Sequence, residues 1–181
     1  MKRPFLVFED IGPESRRELF RMLGVTFMAT RFAPLSLVMW IALGIVTAVA
    51  ESRGAVTGAV AVNGVVYGVL LICCTVIHTL GHIVAGHLVG APMDANLTTA
   101  TRDVNIYITH GVETPRTARI GRSLGGPAAN ILSGLVALAL WNGEVWLRMF
   151  GIMSVAIGVF TLMPIPTLDG FRILKQLLRR R

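Results

Sequence analysis

Charged side chains are scarce in this chain. Only 15% of its 181 residues are Asp, Glu, Lys or Arg, whereas 54% are hydrophobic, and the mean hydropathy is +0.67. A soluble globular domain usually carries about 25% charged residues, so the composition argues against a soluble protein. It predicts an integral membrane protein with room for one compact helical domain.

Cysteine is equally rare, and acidic residues are outnumbered by basic ones. Cys73 and Cys74 are neighbours in an apolar run, which excludes a disulfide framework and a CxxC metal motif, and we interpret both as packing residues. The net charge of +7 comes from basic residues at the ends of apolar segments. Because they are not interleaved with aromatic residues in one patch, we predict no nucleic-acid partner.

Four apolar segments divide the chain, at about residues 32–50, 55–90, 123–140 and 145–163. Each is close to the length that crosses a bilayer. We therefore predict an all-α integral membrane fold with about four transmembrane helices and a short cytoplasmic, strand-containing loop between the second and third. The strands are expected within ANLTTATRDVNIYIT, where β-branched residues partly alternate with polar ones.

The flanks of these segments define three regions. Residues 1–31 form a mixed-charge cytoplasmic lead-in, where the apolar residues after Pro13 and Glu14 indicate a short amphipathic helix at the membrane surface. Residues 32–171 are predicted to form a single transmembrane domain. Residues 172–181 form a basic tail, and apolar residues recur at helical spacing towards this end of the chain.

The positions of Lys and Arg predict the orientation in the membrane. Cytoplasmic flanks collect positive charge, and the basic residues cluster in the lead-in, in the loop after the second segment and in the tail. The opposite side keeps only Arg53 and Arg148. Both termini are therefore predicted to be cytoplasmic.

Two histidines lie four residues apart inside the second apolar segment. Positions i and i+4 share a helix face, so His78 and His82 can present two ring nitrogens to one ion. His87 is rotated by about half a turn and is not expected to join them. Ionisable residues inside a membrane span are costly and by default functional. The alternative is that each histidine only makes hydrogen bonds within a helix bundle.

Further polar residues lie at the cytoplasmic ends of the third and fourth segments. Asp169 in MPIPTLDG can cap the next helix, and it can also meet His78 and His82 on the same side of the membrane. Two histidines and one carboxylate leave a fourth tetrahedral position open for water, as in catalytic zinc sites. For Asn130 in GGPAAN, a packing role and a contact with substrate both stay open.

Three motifs together resemble the site-2 protease family of intramembrane zinc metalloproteases. HTLGH is similar to its HExxH helix, GGPAAN to its GPxxN segment and TLMPIPTLDG to its NxxPxPxLDG helix, in the same order over about residues 63–171. The resemblance implies that His78, His82 and Asp169 bind Zn²⁺. It also implies that loop strands help to guide an extended peptide by β-pairing, and that the host is a bacterial inner membrane.

Two departures from the family pattern concern catalysis. Thr79 stands where the family has its general-base glutamate, and Thr161 where it has the asparagine of the last motif. A threonine hydroxyl does not usefully accept a proton near neutral pH. We therefore expect a zinc-binding pseudoprotease, with impaired or lost peptidase activity, that binds segments of a membrane protein or peptide.

Two alternatives stay open at this stage. A substitute base would make the chain an active intramembrane metalloprotease, and Glu113 and Asp94 are the available carboxylates in the loop. The other alternative is a four-helix membrane protein without a metal, in which the histidines stabilise packing or conduct ions.

Overall fold

The computed structural model of the chain describes residues 15–109 and 114–178. These ranges contain four strands and five helices. In chain order they are β1 (Arg16–Met22), β2 (Val25–Thr30), α1 (Pro34–Glu51), α2 (Gly58–Leu88), β3 (Ala95–Thr98), β4 (Asp103–Ile106), α3 (Arg116–Ala139), α4 (Val145–Thr161) and α5 (Asp169–Leu178).

The strands form one mixed sheet in the order β1-β2-β3-β4. β1 and β2 are antiparallel, β2 and β3 are parallel, and β3 and β4 are antiparallel. The parallel pair needs a crossover connection, which α1 and α2 supply. The prediction of an all-α fold is therefore wrong, because a four-stranded sheet packs beside the helices.

The first two strands replace the predicted amphipathic helix of the lead-in. Leu19 and Phe20 lie in β1, and the chain reverses through Leu23 and Gly24, whose φ angles of 51° and 78° suit a tight hairpin turn. Phe20 stacks on Phe27 of β2 with ring centroids 4.8 Å apart. Cross-strand packing of this kind and pairing with β3 favour strands over a surface helix. The Pro13-Glu14 pair lies outside the described residues.

The loop after α2 contains strands, as predicted, and the two strands form a hairpin. β3 and β4 pair from Ala95 with Ile106 to Thr98 with Asp103. Within the pair, Asn96 Nδ2 donates a hydrogen bond of 2.9 Å to Asn105 Oδ1.

The four predicted membrane segments are all helical, but only α1 and α2 are long and apolar enough to cross a membrane. α4 has 17 residues and extends about 25 Å, short of a hydrocarbon core of about 30 Å. α3 begins with the polar sequence RTARIGR. For the described part of the chain, the prediction of four transmembrane helices is therefore wrong.

α1 and α2 nevertheless expose apolar surface. In the most apolar 18-residue stretch of each helix, only 17% of α1 and 28% of α2 is buried inside the protein. A core helix of a soluble protein is hydrophobic all round because it is buried all round. The exposed apolar faces of these two helices indicate association with a membrane.

α2 is the central helix of the fold. Its first half packs closely on α1, where Gly44 faces the backbone of Gly64 and Gly68 and has no room for a Cβ atom, as in small-residue membrane helix interfaces. Its second half lies against the sheet, where Ile83 belongs to one buried cluster with Val25 and Met93. α2 therefore connects the apolar end of the protein to the sheet.

A helical core lies between α1, α2 and α4 and includes Tyr67, Leu71, Cys74 and Met153. Cys74 is fully buried there, which agrees with the packing role predicted from the sequence. Cys73 is exposed and does not belong to this core.

Candidate metal centre

Three predicted ligand residues meet where the second half of α2 contacts the start of α5. His78 Nε2 lies 3.1 Å from Asp169 Oδ2, and His82 Nε2 lies 3.2 Å from the same oxygen. The two Nε2 atoms are 3.1 Å apart. Among residues 15–109 and 114–178, these three side chains form a group that could hold a metal ion. The convergence expected from the sequence is therefore present.

The spacing of the three atoms fits a tetrahedral ion. Zinc binds imidazole nitrogen and carboxylate oxygen at about 2.0–2.2 Å, which places neighbouring ligand atoms of a tetrahedron about 3.3 Å apart. The observed triangle of 3.1–3.2 Å is close to this value. Three protein ligands leave the fourth position for water or substrate.

His82 is held in the orientation that a ligand requires. Its Nδ1 donates a hydrogen bond of 2.7 Å to the backbone carbonyl of Arg122. Because a carbonyl oxygen only accepts, Nδ1 carries the proton and the lone pair of Nε2 faces the other two atoms. His82 is only 2% exposed, so packing fixes the ring as well.

His78 lacks such a restraint from the described residues, among which its buried Nδ1 has no hydrogen-bond partner. Of the two rings, His78 is the more exposed to the surroundings, with 16% of its side chain accessible against 2% for His82.

Asp169 is the first residue of α5 and is buried. Burial alone would raise the pKa of its carboxyl, but the two imidazole rings within hydrogen-bond distance and the guanidinium of Arg172 hold the pKa well below its usual range. The carboxylate is therefore ionised at neutral pH, which metal ligation needs. Gly170, pressed against the carbonyl of Leu162, lets α5 begin this close to the end of α4.

The GGPAAN motif packs glycine against the histidines. A Cβ atom built on Gly126 would lie 2.5 Å from His82 Nε2 and 2.6 Å from His78 Nε2. One residue earlier, Gly125 packs against the backbone of Gly81. The two glycines therefore let α3 approach the ligand nitrogens without filling the space between them.

Asn130 lies one helical turn beyond Gly126 and is completely buried. Neither polar atom of its side chain has a hydrogen-bond partner among the described residues. A buried amide without partners is costly and needs an explanation, which packing alone does not provide. Contact with a substrate stays a prediction.

Both departures from the family pattern lie in helices, Thr79 in α2 and Thr161 at the end of α4. Thr79 is buried next to His78, and the Thr161 hydroxyl donates to the carbonyl of Gly158. Asp94 accepts hydrogen bonds from the backbone amides of residues 108 and 109 and so closes the loop after β4. Glu113 lies outside the described residues.

Asp103, which the sequence interpretation did not single out, lies close enough to His78 for their charges to interact. Asp103 keeps an exposed face at the start of β4, yet protein atoms crowd it on the other sides. This burial raises the pKa of its carboxyl, while a hydrogen bond with Thr98 and the charge of His78 lower it by less. No local motif marks Asp103, because the sheet positions it: β4 pairs with β3, and β3 pairs with the distant β2.

His87 takes no part in the centre, as predicted. Its Nε2 donates a hydrogen bond of 3.1 Å to the backbone carbonyl of Leu23 in the turn between β1 and β2. It therefore ties the hairpin to the end of α2.

We predict that Gly126→Ala weakens zinc binding by more than about tenfold, the scale seen when residues around metal ligands are changed. The added methyl group occupies the space between the ligand nitrogens. Gly58→Ala is the matched control, because a Cβ atom at Gly58 meets open space. Titration with zinc and a competing chelator measures both affinities. Equal affinity of the two variants would show that the Gly126 contact does not limit metal access.

Comparison with known proteins identifies a solved structure with a similar fold. No family model and no curated protein sequence matches this chain. Among solved structures, the chain is similar to a site-2 protease from Methanocaldococcus jannaschii, with a TM-score of 0.60 and 22% identity over 90% of this chain and 71% of that one. The three motifs, the geometry of their residues and this similarity agree, and the chain has a site-2-protease-like fold.

Proposed function

We propose that this chain is a membrane-embedded, site-2-protease-like protein that binds Zn²⁺, has impaired or lost peptidase activity and captures membrane peptide segments. The observation that carries the proposal is the triangle formed by His78, His82 and Asp169, with sides of 3.1–3.2 Å, beside a threonine in place of a base. Ligation needs only the three converging atoms. Hydrolysis by the usual route needs a proton acceptor in addition.

Three features of the protein would hold the ion. His82 keeps its Nε2 lone pair available through the bond from Nδ1 to Arg122, and Asp169 contributes the negative charge. Gly126 leaves the space that the ion requires. A bound zinc ion supplies Lewis-acid polarisation of a carbonyl and lowers the pKa of water.

An extended peptide has a place to bind at the outer edge of β4, which ends the sheet in the described part of the chain. The backbone carbonyls of Arg102 and Ile106 accept hydrogen bonds from the β3 side. Because backbone groups alternate along an antiparallel strand, Asp103 and Asn105 direct theirs outwards. A peptide added to this edge would pass Asp103 and hence His78.

The bilayer is the second partner in the proposal. The apolar outer faces of α1 and α2 support it, and the excess of Lys and Arg on one side favours cytoplasmic termini. A bacterial inner membrane, expected from the family resemblance, completes the proposed localisation.

We predict about one zinc ion per chain in purified protein and its loss in His82→Ala. His82 provides one of three ligands, whereas His87 lies on the same helix outside the site. His87→Ala is therefore the matched control and should keep its zinc. Metal analysis after gel filtration, with thermal melting to verify folding, measures this. Zinc-free wild-type protein, or equal loss in both variants, would contradict the proposal.

Thr79→Glu should create or raise peptidase activity by about 10²-fold or more, the usual contribution of a general base. The substituted carboxylate would stand next to the zinc ligand His78 on α2. Cleavage of a panel of labelled transmembrane peptides, followed by mass spectrometry, measures the gain. The double variant with His78→Ala should be inactive, and a zinc-loaded Thr79→Glu protein that cleaves no peptide would count against a protease scaffold that lacks only its base.

A second candidate function, active proteolysis with a substitute base, is favoured by the electrostatic interaction between the Asp103 carboxylate and His78. In this reaction Asp103 accepts a proton from water as the water oxygen attacks the peptide carbonyl carbon. The C–N bond then breaks, and the proton passes to the departing amine nitrogen. A raised pKa brings a carboxylate closer to the value that suits such a base.

If Asp103 acts as the base, wild-type protein cleaves peptide and Asp103→Asn lowers kcat by about 10²-fold or more. KM and zinc content should stay unchanged, since Asp103 is not a ligand. Asp94→Asn is the control, because Asp94 bonds to the loop backbone instead. A similar kcat in Asp103→Asn and wild type would remove Asp103 as the base.

A further inference from the structure

A pocket of about 160 Å³ lies between β4, the start of α3 and α5, next to the candidate metal centre. Its walls include Arg119 and Arg122 from α3 and Arg172 from α5. The pocket is distinct from the ligand triangle, whose three residues do not line it.

The arginines give this pocket an excess of positive charge. Arg122 is only 9% exposed, and its guanidinium lies 3.7 Å from the centroid of the Tyr107 ring. Arg172 lies 3.7 Å from Asp169 Oδ1, but the other oxygen of that carboxylate faces the two histidines. Arg102 adds a further positive charge that interacts with Arg172.

One further carboxylate acts on the pocket, since Asp94 interacts electrostatically with Arg122. Asp94 also accepts three hydrogen bonds from residues 108 and 109. Among the described residues, the three lining arginines and the nearby Arg102 carry four positive charges, and Asp94 and Asp169 carry two negative ones. Binding of a dication by Asp169 would increase that excess.

The donors on the walls suit a tetrahedral oxyanion. Guanidinium groups bind phosphate through paired hydrogen bonds, and the hydroxyls of Ser123 and Tyr107 and the amide of Asn105 add neutral donors to the same walls.

We propose that this pocket binds a phosphate-type oxyanion, supplied either by the headgroup of an anionic lipid or by a soluble phosphate. The proposal does not depend on zinc binding or on peptidase activity. The bound oxyanion would contact Arg122 and Arg172, which both support the candidate metal centre. The backbone carbonyl of Arg122 accepts a hydrogen bond from His82, and the guanidinium of Arg172 lies near Asp169.

The test uses the full chain in nanodiscs of zwitterionic phosphatidylcholine, titrated with inorganic phosphate at constant ionic strength by calorimetry. We expect saturable binding that Arg119→Gln weakens by about tenfold or more. Arg116→Gln removes the same charge from the same helix, but its side chain donates to the carbonyl of Leu177 instead, so it should change the affinity by less than about twofold. Arg119→Lys keeps the charge without the paired donors and should give an intermediate loss.

Nanodiscs that contain phosphatidylglycerol distinguish the two sources. If the anionic lipid displaces phosphate in wild type but not in Arg119→Gln, the ligand is a headgroup; if phosphate binding is unchanged, the ligand is soluble. Either result supports the pocket. The proposal is overturned if neither phosphate nor phosphatidylglycerol binds in an Arg119-dependent way, or if Arg116→Gln loses as much affinity as Arg119→Gln, since that indicates diffuse surface charge.

Discussion

Asp169 Oδ2 lies within 3.2 Å of two imidazole nitrogens that α2 presents from adjacent turns. A buried carboxylate needs partners of this kind to offset its desolvation, and the same contacts keep its pKa low. The helices around these three side chains pack closely enough to bring them together. α5 starts where Gly170 fits under the end of α4, and α3 approaches through Gly125 and Gly126. The carbonyl of Arg122 then fixes the His82 ring.

The two halves of α2 serve different environments. Its first half packs on α1 through glycines and exposes an apolar face, which suits lipid. Its second half carries the histidines and packs on the sheet through Ile83. From Gly58 to His78 the helix rises about 30 Å, about the thickness of a bilayer core. The centre therefore lies at the boundary between the apolar end of the protein and the sheet.

Under the proposed function, metal ligation and proton transfer would depend on different residues. The group formed by His78, His82 and Asp169 is present with threonine at position 79, whereas the expected proton acceptor at that position is not. Around the same centre lie a carboxylate on an edge strand, a buried asparagine amide and a set of arginines.

The sequence by itself determined what depends on local spacing. The shared face of the i, i+4 histidines, the four long apolar segments and the strand pattern after the second segment are local features of the sequence. Only the tertiary structure decided the rest. The parallel pairing of β2 with β3 joins residues about seventy positions apart, so no local pattern distinguished β1 and β2 from a surface helix. The same non-local pairing placed Asp103 near His78, and the meeting of α3 with α5 gathered the arginines.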